Sequence, residues 1–473
     1  MKQDLPQSLR TVFDAQRSAF AEDSFPDLSG RLERLARLEK LLRENEDAFA
    51  EAISADFGNR SKHETLIAET LFTLASISHV RKHLKRWMKP RRVGTTFHSL
   101  PGTSRIIPQP LGVIGIVSPW NYPLQLALAP AVAAIAAGNR VLIKPSELTP
   151  KFSDLLARLI ADYFSADECA VVTGDAEVAK AFVSLPFDHL FFTGSTAVGK
   201  HVGMAAAANL TPVTLELGGK SPAIVDASCD LKDAAVKIAA GKLFNAGQTC
   251  IAPDYVLVPA AKLDHFVQAF TQATQKLYPT LEHNPDYTSI VNERHFARLT
   301  GLLEDARANG ASLNEINPGA EIANPATRKM RPTLVLGATP AMRIMQDEIF
   351  GPLLPVLPYE SVDDAIAFVN ARPRPLALYW FGKDSTHRDK VLHETISGGV
   401  TINDALYHIA QENLPFGGVG DSGSGAYHGE YGFRLFTKEK PVFEQSALSG
   451  TGLLRPPFGK LANSIIRTLK RVI

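Results

Sequence analysis

Between residues 27 and 56, Leu32, Leu35, Leu38, Leu41 and Leu42 recur at helical spacing among arginines and glutamates, which predicts one long amphipathic helix. Residues 63–89 also read as helical and end in a basic cluster, Lys82, Lys85, Arg86 and Lys89, of the kind a solvated face carries. From residue 110 the pattern changes to short apolar runs alternating with longer amphipathic or small-residue stretches. Strands are predicted over 113–117, 141–144, 170–173 and 189–193, and helices over 124–137, 150–163, 176–184 and 196–209. Continuous apolar strands alternating with helices imply a mostly parallel α/β sheet covered on both faces. Such a sheet binds ligands outside the carboxyl ends of its strands. A second α/β stretch runs from about 218 to 395, with strands predicted over 222–225 and 255–258 and a helix over 232–244. Beyond about 415, Gly417, Gly418, Gly420, Gly423, Gly425, Gly429 and Gly432 alternate with Phe and Tyr, so an irregular, closely packed region is expected.

At the C-terminus Leu461, Ile465, Ile466, Leu469, Val472 and Ile473 fall on one helical face, with Lys460, Arg467, Lys470 and Arg471 largely elsewhere. A basic amphipathic helix of this kind suits an anionic membrane surface, and equally suits packing on its own body or a dimer partner. Composition adds bounds. The 473 residues suggest about three structural units and are ample for a buried core. Contents of 45% hydrophobic and 21% charged residues exclude a disordered or fibrous chain. A formal net charge of +1 gives no broad footprint for nucleic acid. Cys169, Cys229 and Cys250 are the only cysteines, too few for a disulfide framework and consistent with a reducing compartment. No apolar signal segment opens the chain, and the longest apolar run, 126–137, contains Pro130 and falls short of the roughly 20 residues that span a bilayer. A soluble, cytoplasmic protein is expected.

Three glycine motifs need separating. Gly418-Val419-Gly420-Asp421-Ser422-Gly423 matches GxGxxG literally, but lacks the strand before it and the helix after it. Gly194-Ser195-Thr196-Ala197-Val198-Gly199-Lys200 follows a predicted strand and opens a helix. It nearly matches a P-loop, yet His201 stands where a magnesium-binding hydroxyl is needed, so a phosphotransferase is the weaker reading. The N–H groups and dipole of that turn still suit a nucleotide pyrophosphate, although a plain strand-to-helix turn would look the same in isolation. Gly218-Gly219-Lys220-Ser221 fails as a P-loop because Thr214 occupies the first glycine position.

Cys250 follows Phe244-Asn245-Ala246-Gly247-Gln248-Thr249, where a predicted helix gives way to a glycine. A lone cysteine is by default a small buried hydrophobe, and Cys169 and Cys229 fit that description better. Glu216 ends an apolar strand ahead of two glycines, in the ligand-facing crevice, as a candidate acid or base. Asn121 follows the strand 113–117 and is a candidate oxyanion donor.

Pro119-Trp120-Asn121, Lys144-Pro145-Ser146-Glu147, Phe192-Thr193-Gly194-Ser195, Leu215-Glu216-Leu217-Gly218-Gly219-Lys220, Gly247-Gln248-Thr249-Cys250, Glu348-Ile349-Phe350-Gly351-Pro352 and Leu414-Pro415-Phe416-Gly417-Gly418 resemble, in this order, the motifs of the aldehyde dehydrogenase superfamily. Ala252-Pro253-Asp254-Tyr255 and Ser422-Gly423-Ser424-Gly425-Ala426-Tyr427-His428-Gly429 resemble its class 3 branch. Within it, His63-Glu64-Thr65-Leu66-Ile67-Ala68-Glu69 and the basic C-terminus are most similar to the coniferyl aldehyde dehydrogenase type.

The resemblance implies an α/β fold with a Rossmann-type NAD(P)-binding domain (1–88 and 111–217), a catalytic domain (218–395), bridging oligomerisation segments (89–110 and 396–440) and a tail (441–473). It implies that Cys250 attacks an aldehyde, that Asn121 stabilises the oxyanion, and that Glu216 activates the water that hydrolyses the thioester. Lys144 and Glu147 match the positions that grip the adenosine ribose, Gly194, Ser195 and Gly199 the pyrophosphate turn, and Trp120, Glu348 and Phe350 the nicotinamide end. NAD is favoured over NADP through Glu147, and no metal is expected. The implied substrate is an aromatic aldehyde such as coniferaldehyde, or a medium-chain aliphatic one, and the implied assembly is a homodimer. An acylating enzyme that passes the thioester to coenzyme A, and a non-catalytic protein on the same fold, stay open beside this reading.

Overall fold

A computed structural model describes residues 5–472. Met1–Asp4, part of the segment on which the expectation of no leader rests, and Ile473, the last residue of the tail's apolar face, lie outside the described residues, as does the Val472 side chain. The single helix expected over 27–56 is two, Leu28–Glu44 and Glu46–Phe57. Asn45 breaks it with φ −129° and ψ 17°, while its side-chain amide donates to the Leu41 carbonyl at 2.8 Å. Asp27 caps the first of the pair by accepting from the Gly30 N–H at 2.8 Å. An unpredicted helix, Leu5–Glu22, precedes them and buries Leu9 and Phe13 with Val113 and Leu142 of the first sheet. Residues 62–87 are helical throughout, but not uniformly. Lys62–Thr65 and Phe72–Trp87 are joined by a π turn, Leu66–Leu71.

Among the described residues the strands form three sheets. The first has the order Gly423–Ser424, Val213–Glu216, His189–Thr193, Val113–Val117, Arg140–Lys144, Cys169–Val171. All neighbours are parallel except the two-residue Gly423–Ser424 strand, which closes the edge antiparallel to Val213–Glu216. Strand order reverses beside Val113–Val117, so the loops leaving it and leaving His189–Thr193 face a topological switch point. The helix Gln125–Ala137 behind that point is apolar all round and buried all round.

The second sheet has the order Ser312–Glu315, Thr333–Leu336, Leu353–Tyr359, Tyr255–Pro259, Pro222–Val225, Ala377–Phe381, Gly399–Ile402, parallel except for its first pair. A third, antiparallel sheet joins Arg91–Val93, Thr103–Pro110 and Thr437–Glu444, and leaves Phe97, Leu100 and Phe443 exposed around it. The tail forms the helix Lys460–Val472, with Leu461 and Ile466 exposed. No helix among the described residues is long and apolar enough to cross a membrane.

The glycine-rich region has a backbone reason. Gly423 sits at φ 139°, and a Cβ there would lie 2.1 Å from the Leu215 carbonyl oxygen. The literal GxGxxG is therefore the turn that lays Gly423–Ser424 against the strand ending in Glu216, not a nucleotide loop.

Candidate active site

Three separate connections converge. Asn121 lies on the turn that leaves Val113–Val117 at the switch point. Glu216 ends its strand in register with Thr193 on the neighbouring one. Cys250 arrives from the second half of the chain, after the helix Leu231–Leu243. There Asn245, Ala246 and Gly247 adopt positive φ of 52°, 50° and 76° in succession. A Cβ on Gly247 would fall 2.3 Å from the Gly351 carbonyl oxygen, so only glycine lets these two turns meet.

Asn121, Glu216 and Cys250 line one cavity of about 300 Å³, together with Trp120, Gly194, Ser195, Glu348 and Phe350. A second cavity of about 460 Å³ meets it at Leu126, Cys250 and Ile409. Its walls are largely apolar and include Ile67, Phe72, Val236, Phe244, Leu406 and Tyr407. Cys250 is partly buried and stands where the two join. Cys169 and Cys229 line neither, and burial pushes their thiols up to about 12 and about 11.

The Cys250 turn is heavily pinned. Gln248 donates through its side chain to the carbonyls of Asn245 and Ser289, both at 3.0 Å, and accepts from the Val291 N–H at 2.9 Å. Asn121 Nδ2 donates to the Gln248 carbonyl at 3.2 Å, and Tyr122 Oη meets Thr249 Oγ1 at 2.7 Å. Glu348 and Phe350 are held by Arg298, which donates to the carbonyls of Glu348 and Ile349 at 3.2 and 2.5 Å. The ion pair of Lys220 with Asp254 braces the same turn, since Asp254 also accepts from the Ile349 N–H at 2.9 Å.

Charge inside the cavity is poorly compensated. Glu216 is 3% exposed, and neither of its carboxyl oxygens finds a hydrogen-bond partner among the described residues. Burial therefore drives its pKa well above the usual carboxylate range. Burial also pushes the Cys250 thiol up, and the carboxylates of Glu348 and Glu216 add to the effect. Glu348 is raised to about 8 by burial and Asp254, against the Gly219 N–H, Lys220 and Arg298. A Cβ on Gly218 would come within 2.0 Å of its carboxylate, so that acid lies directly on bare backbone.

The remaining predicted residues divide. Gly194 and Ser195 line the cavity, and Ser195 caps the helix Thr196–Ala207 by accepting from the Val198 N–H at 3.4 Å. Gly199 lies inside that helix, where a Cβ would meet Leu217 at 2.6 Å. Lys144 and Glu147 do not line the cavity; Lys144, the last residue of Arg140–Lys144, pairs with Glu147 in the loop after it at 3.7 Å. Lys144 is buried, which lowers its pKa, whereas Glu147 reaches solvent. Sequence reasoning missed Tyr427, His295 and Arg298, which also line the cavity. His295 packs on Trp120 at 5.0 Å between ring centres, and burial lowers it to about 4. Of the three, Tyr427 alone sits inside a recognised motif.

A sequence model of the Aldehyde dehydrogenase family matches residues 6–442. The coniferyl aldehyde dehydrogenase of a Pseudomonas strain is 49% identical, covering 98% of this chain and 96% of its own. The solved substrate-bound state of Staphylococcus aureus AldH matches with a TM-score of 0.92 and 41% identity, covering 98% of this chain and 99% of that one. A mutant of P. syringae indole-3-acetaldehyde dehydrogenase, solved in complex with NAD+ and IAA, matches with a TM-score of 0.85 and 26% identity, over 93% of this chain and 89% of that one.

Proposed function

The chain belongs to the aldehyde dehydrogenase family and performs NAD(P)-dependent aldehyde oxidation, and from that premise we propose that Cys250, Asn121 and Glu216 carry the chemistry. The observation that supports this most is the position of Cys250 at the junction of an apolar cavity and one holding an unpartnered carboxyl group. The aldehyde enters through the apolar cavity, and Cys250, once its thiol proton has passed to water, adds through Sγ to the carbonyl carbon. Asn121 Nδ2 and the Cys250 backbone N–H donate to the oxyanion that forms. What NAD(P) supplies when bound is hydride acceptance, which leaves a thioester on Cys250. Glu216 then takes a proton from water as it adds to the thioester; the C–S bond breaks, sulfur is reprotonated and the carboxylate leaves.

The residues present fit a dinucleotide. Glu348 has a buried oxygen with no partner among the described residues, a natural acceptor for a ribose hydroxyl. Trp120 and Phe350 would flank the nicotinamide end, Gly194, Ser195 and Gly199 the pyrophosphate, and Lys144 and Glu147 the adenosine ribose. NAD is preferred over NADP, because a 2′-phosphate would meet the Glu147 carboxylate.

The substrate class is aromatic aldehydes of the coniferaldehyde kind, with medium-chain aliphatic aldehydes as the second class. The largely apolar lining supports both, and the similarity to a coniferyl aldehyde dehydrogenase supports the first. The proposed nucleotide unit is residues 1–88 and 111–217, the catalytic unit 218–395, the bridging arms 89–110 and 396–440, and the tail 441–473, with Gly399–Ile402 of the second arm pairing into the second sheet and its strand Thr437–Glu444 running past 440. Exposed Phe97 and Leu100 on the arm, with Phe443 on the strand that runs from the second arm into the tail, are the surface through which two copies pair. The tail helix suits an anionic membrane surface as well as packing on its own body or a dimer partner; equal liposome flotation of the full chain and a chain cut before Pro456 would remove the first.

The assay is a panel of coniferaldehyde, benzaldehyde, hexanal and decanal with NAD and with NADP, read at the NADH absorbance band. Coniferaldehyde with NAD is expected to give the highest kcat/KM, and Cys250→Ala to give none while still binding NADH. Activity in Cys250→Ala would refute the assignment. Formation of an acyl-coenzyme A product in its place, when coenzyme A is added, would replace Glu216-assisted hydrolysis with acyl transfer.

A further inference from the structure

Arg60, Glu64 and Glu69 line neither cavity, yet they are 2%, 7% and 0% exposed. Burying three ionisable groups carries a desolvation cost, so what they hold matters. Arg60 Nη1 pairs with Glu69 Oε1 at 2.9 Å, with both side chains fully buried. Glu69 Oε2 accepts from the N–H groups of Leu124 and Gln125 at 2.7 and 3.2 Å, anchoring the chain just past Asn121. Arg60 donates to the Asn121 carbonyl at 2.9 Å and lies over the Tyr122 ring at 4.8 Å. Glu64 Oε2 accepts from the Asn245 N–H and from Thr288 Oγ1, both at 3.0 Å. Asn245, held in its left-handed conformation, donates from its side chain to the carbonyls of both Asn121 and Gln248 at 3.1 Å. The π turn sits inside this segment, and lets Glu69 face inward while Ile67 and Ala68 line the apolar cavity.

We infer that Arg60, Glu64 and Glu69 are positioning residues, a buried charged clamp that sets the Asn121 turn against the Cys250 turn and so fixes the oxyanion geometry. One segment thereby shapes the aldehyde channel with one face and aligns the reacting groups with the other. The inference rests on the catalytic reading of Cys250 and Asn121.

Glu64→Ala leaves the Asn245 N–H buried without its acceptor and frees the left-handed turn. Displacement of Asn121 from Cys250 by about 1 Å is expected to lower kcat about 10²-fold, with the aldehyde KM and the NADH Kd (by fluorescence) changed less than about twofold. Glu64→Gln keeps an acceptor oxygen and should return kcat to within about threefold of the parent. Arg60→Lys, which keeps charge but not the flat guanidinium that lies over Tyr122 while Nη1 reaches both the Glu69 carboxylate and the Asn121 carbonyl, is the second variant and should lose kcat in the same selective way. Rates are normalised to folded sites by titrating Cys250 with iodoacetamide and mass spectrometry. A selective kcat loss with rescue by Glu64→Gln supports the clamp. An unchanged normalised kcat in Glu64→Ala and Arg60→Lys overturns it, as does a loss that vanishes on normalisation. Cys250→Ala is the control: if it is active, the catalytic reading falls and takes the clamp with it, whereas an inert control beside a fully active Glu64→Ala removes the clamp alone.

Discussion

Glu64 should make the stability of this protein depend on pH in a way one substitution removes. Burial raises its pKa from 4.5 to about 7, with Asp286 adding to the rise and Arg60, Thr288 and the Asn245 N–H opposing it. The folded state therefore holds a proton that the unfolded chain has released between these two values. For a carboxyl raised in this direction, stability is fully present below about pH 4.5 and is lost as pH climbs through about 7. The gap from 4.5 to about 7, at about 1.4 kcal/mol per pH unit, is about 3–4 kcal/mol. Glu64→Gln carries no proton to release, so it lacks this dependence. Guanidinium unfolding of both proteins at intervals from pH 5 to 8.5 gives the difference in stability, with every other titrating group common to both. The parent should lose roughly 2–3 kcal/mol relative to the variant across that window, most of it below pH 7.5. A difference that stays flat would refute the reasoning, because it would mean that the carboxyl titrates where it does in the unfolded chain.

Other outcomes follow from the same geometry. Glu216→Gln should retain a first-turnover burst of NADH and then run at a steady-state rate about 10²-fold or more below the parent, by stopped flow; loss of the burst itself would count against deacylation as its step. Because burial raises both Glu216 and Cys250, kcat of the parent should rise from pH 6 to pH 9, and a falling or flat profile contradicts the roles given to them. Gly247→Ala meets both a positive φ and the Gly351 carbonyl, so it should abolish turnover or folding, as read by activity and thermal melting; a fully active variant would disprove the close approach. Ala68→Phe narrows the apolar cavity and should raise the KM for coniferaldehyde more than that for hexanal, whereas equal changes would place the aldehyde elsewhere.

Much of the fold was legible because strand ends and glycines leave local marks. The strand over 113–117, the helix over 150–163 and the strand over 189–193 have the predicted limits, since apolar runs bounded by Pro, Gly or Asn leave little choice. Asn121, Glu216 and Cys250 could be picked out as candidates because each lies at or just past an element's end. Periodicity failed where a break preserves phase: Leu41 and Leu42 before Asn45, and Phe49 after it, keep the helical rhythm that hid the boundary. The π turn was invisible for a related reason, because one extra residue in a turn changes direction without changing composition. His295 and Arg298 come from a helix far along the chain with no motif around them. The clamp was legible only as a motif: Glu64 and Glu69 sit in the 63–69 segment that carries the resemblance, but Arg60 and Glu64 look like surface residues until their backbone partners, Asn121 and Asn245, are known.

The pairing of Gly423 with Glu216 sets an order of events during synthesis. The strand that carries the carboxylate leaves the ribosome about 200 residues (423 minus 216) before the segment that seals its flank. At roughly 5–20 residues per second this is an interval of about 10–40 s. For that time the edge of the first sheet offers unpaired backbone to any other extended chain. The nascent protein is thus exposed to mispairing at the strand that ends in Glu216, and shelter of that edge by a chaperone or by slowed translation should raise the yield of folded chain without altering the finished molecule.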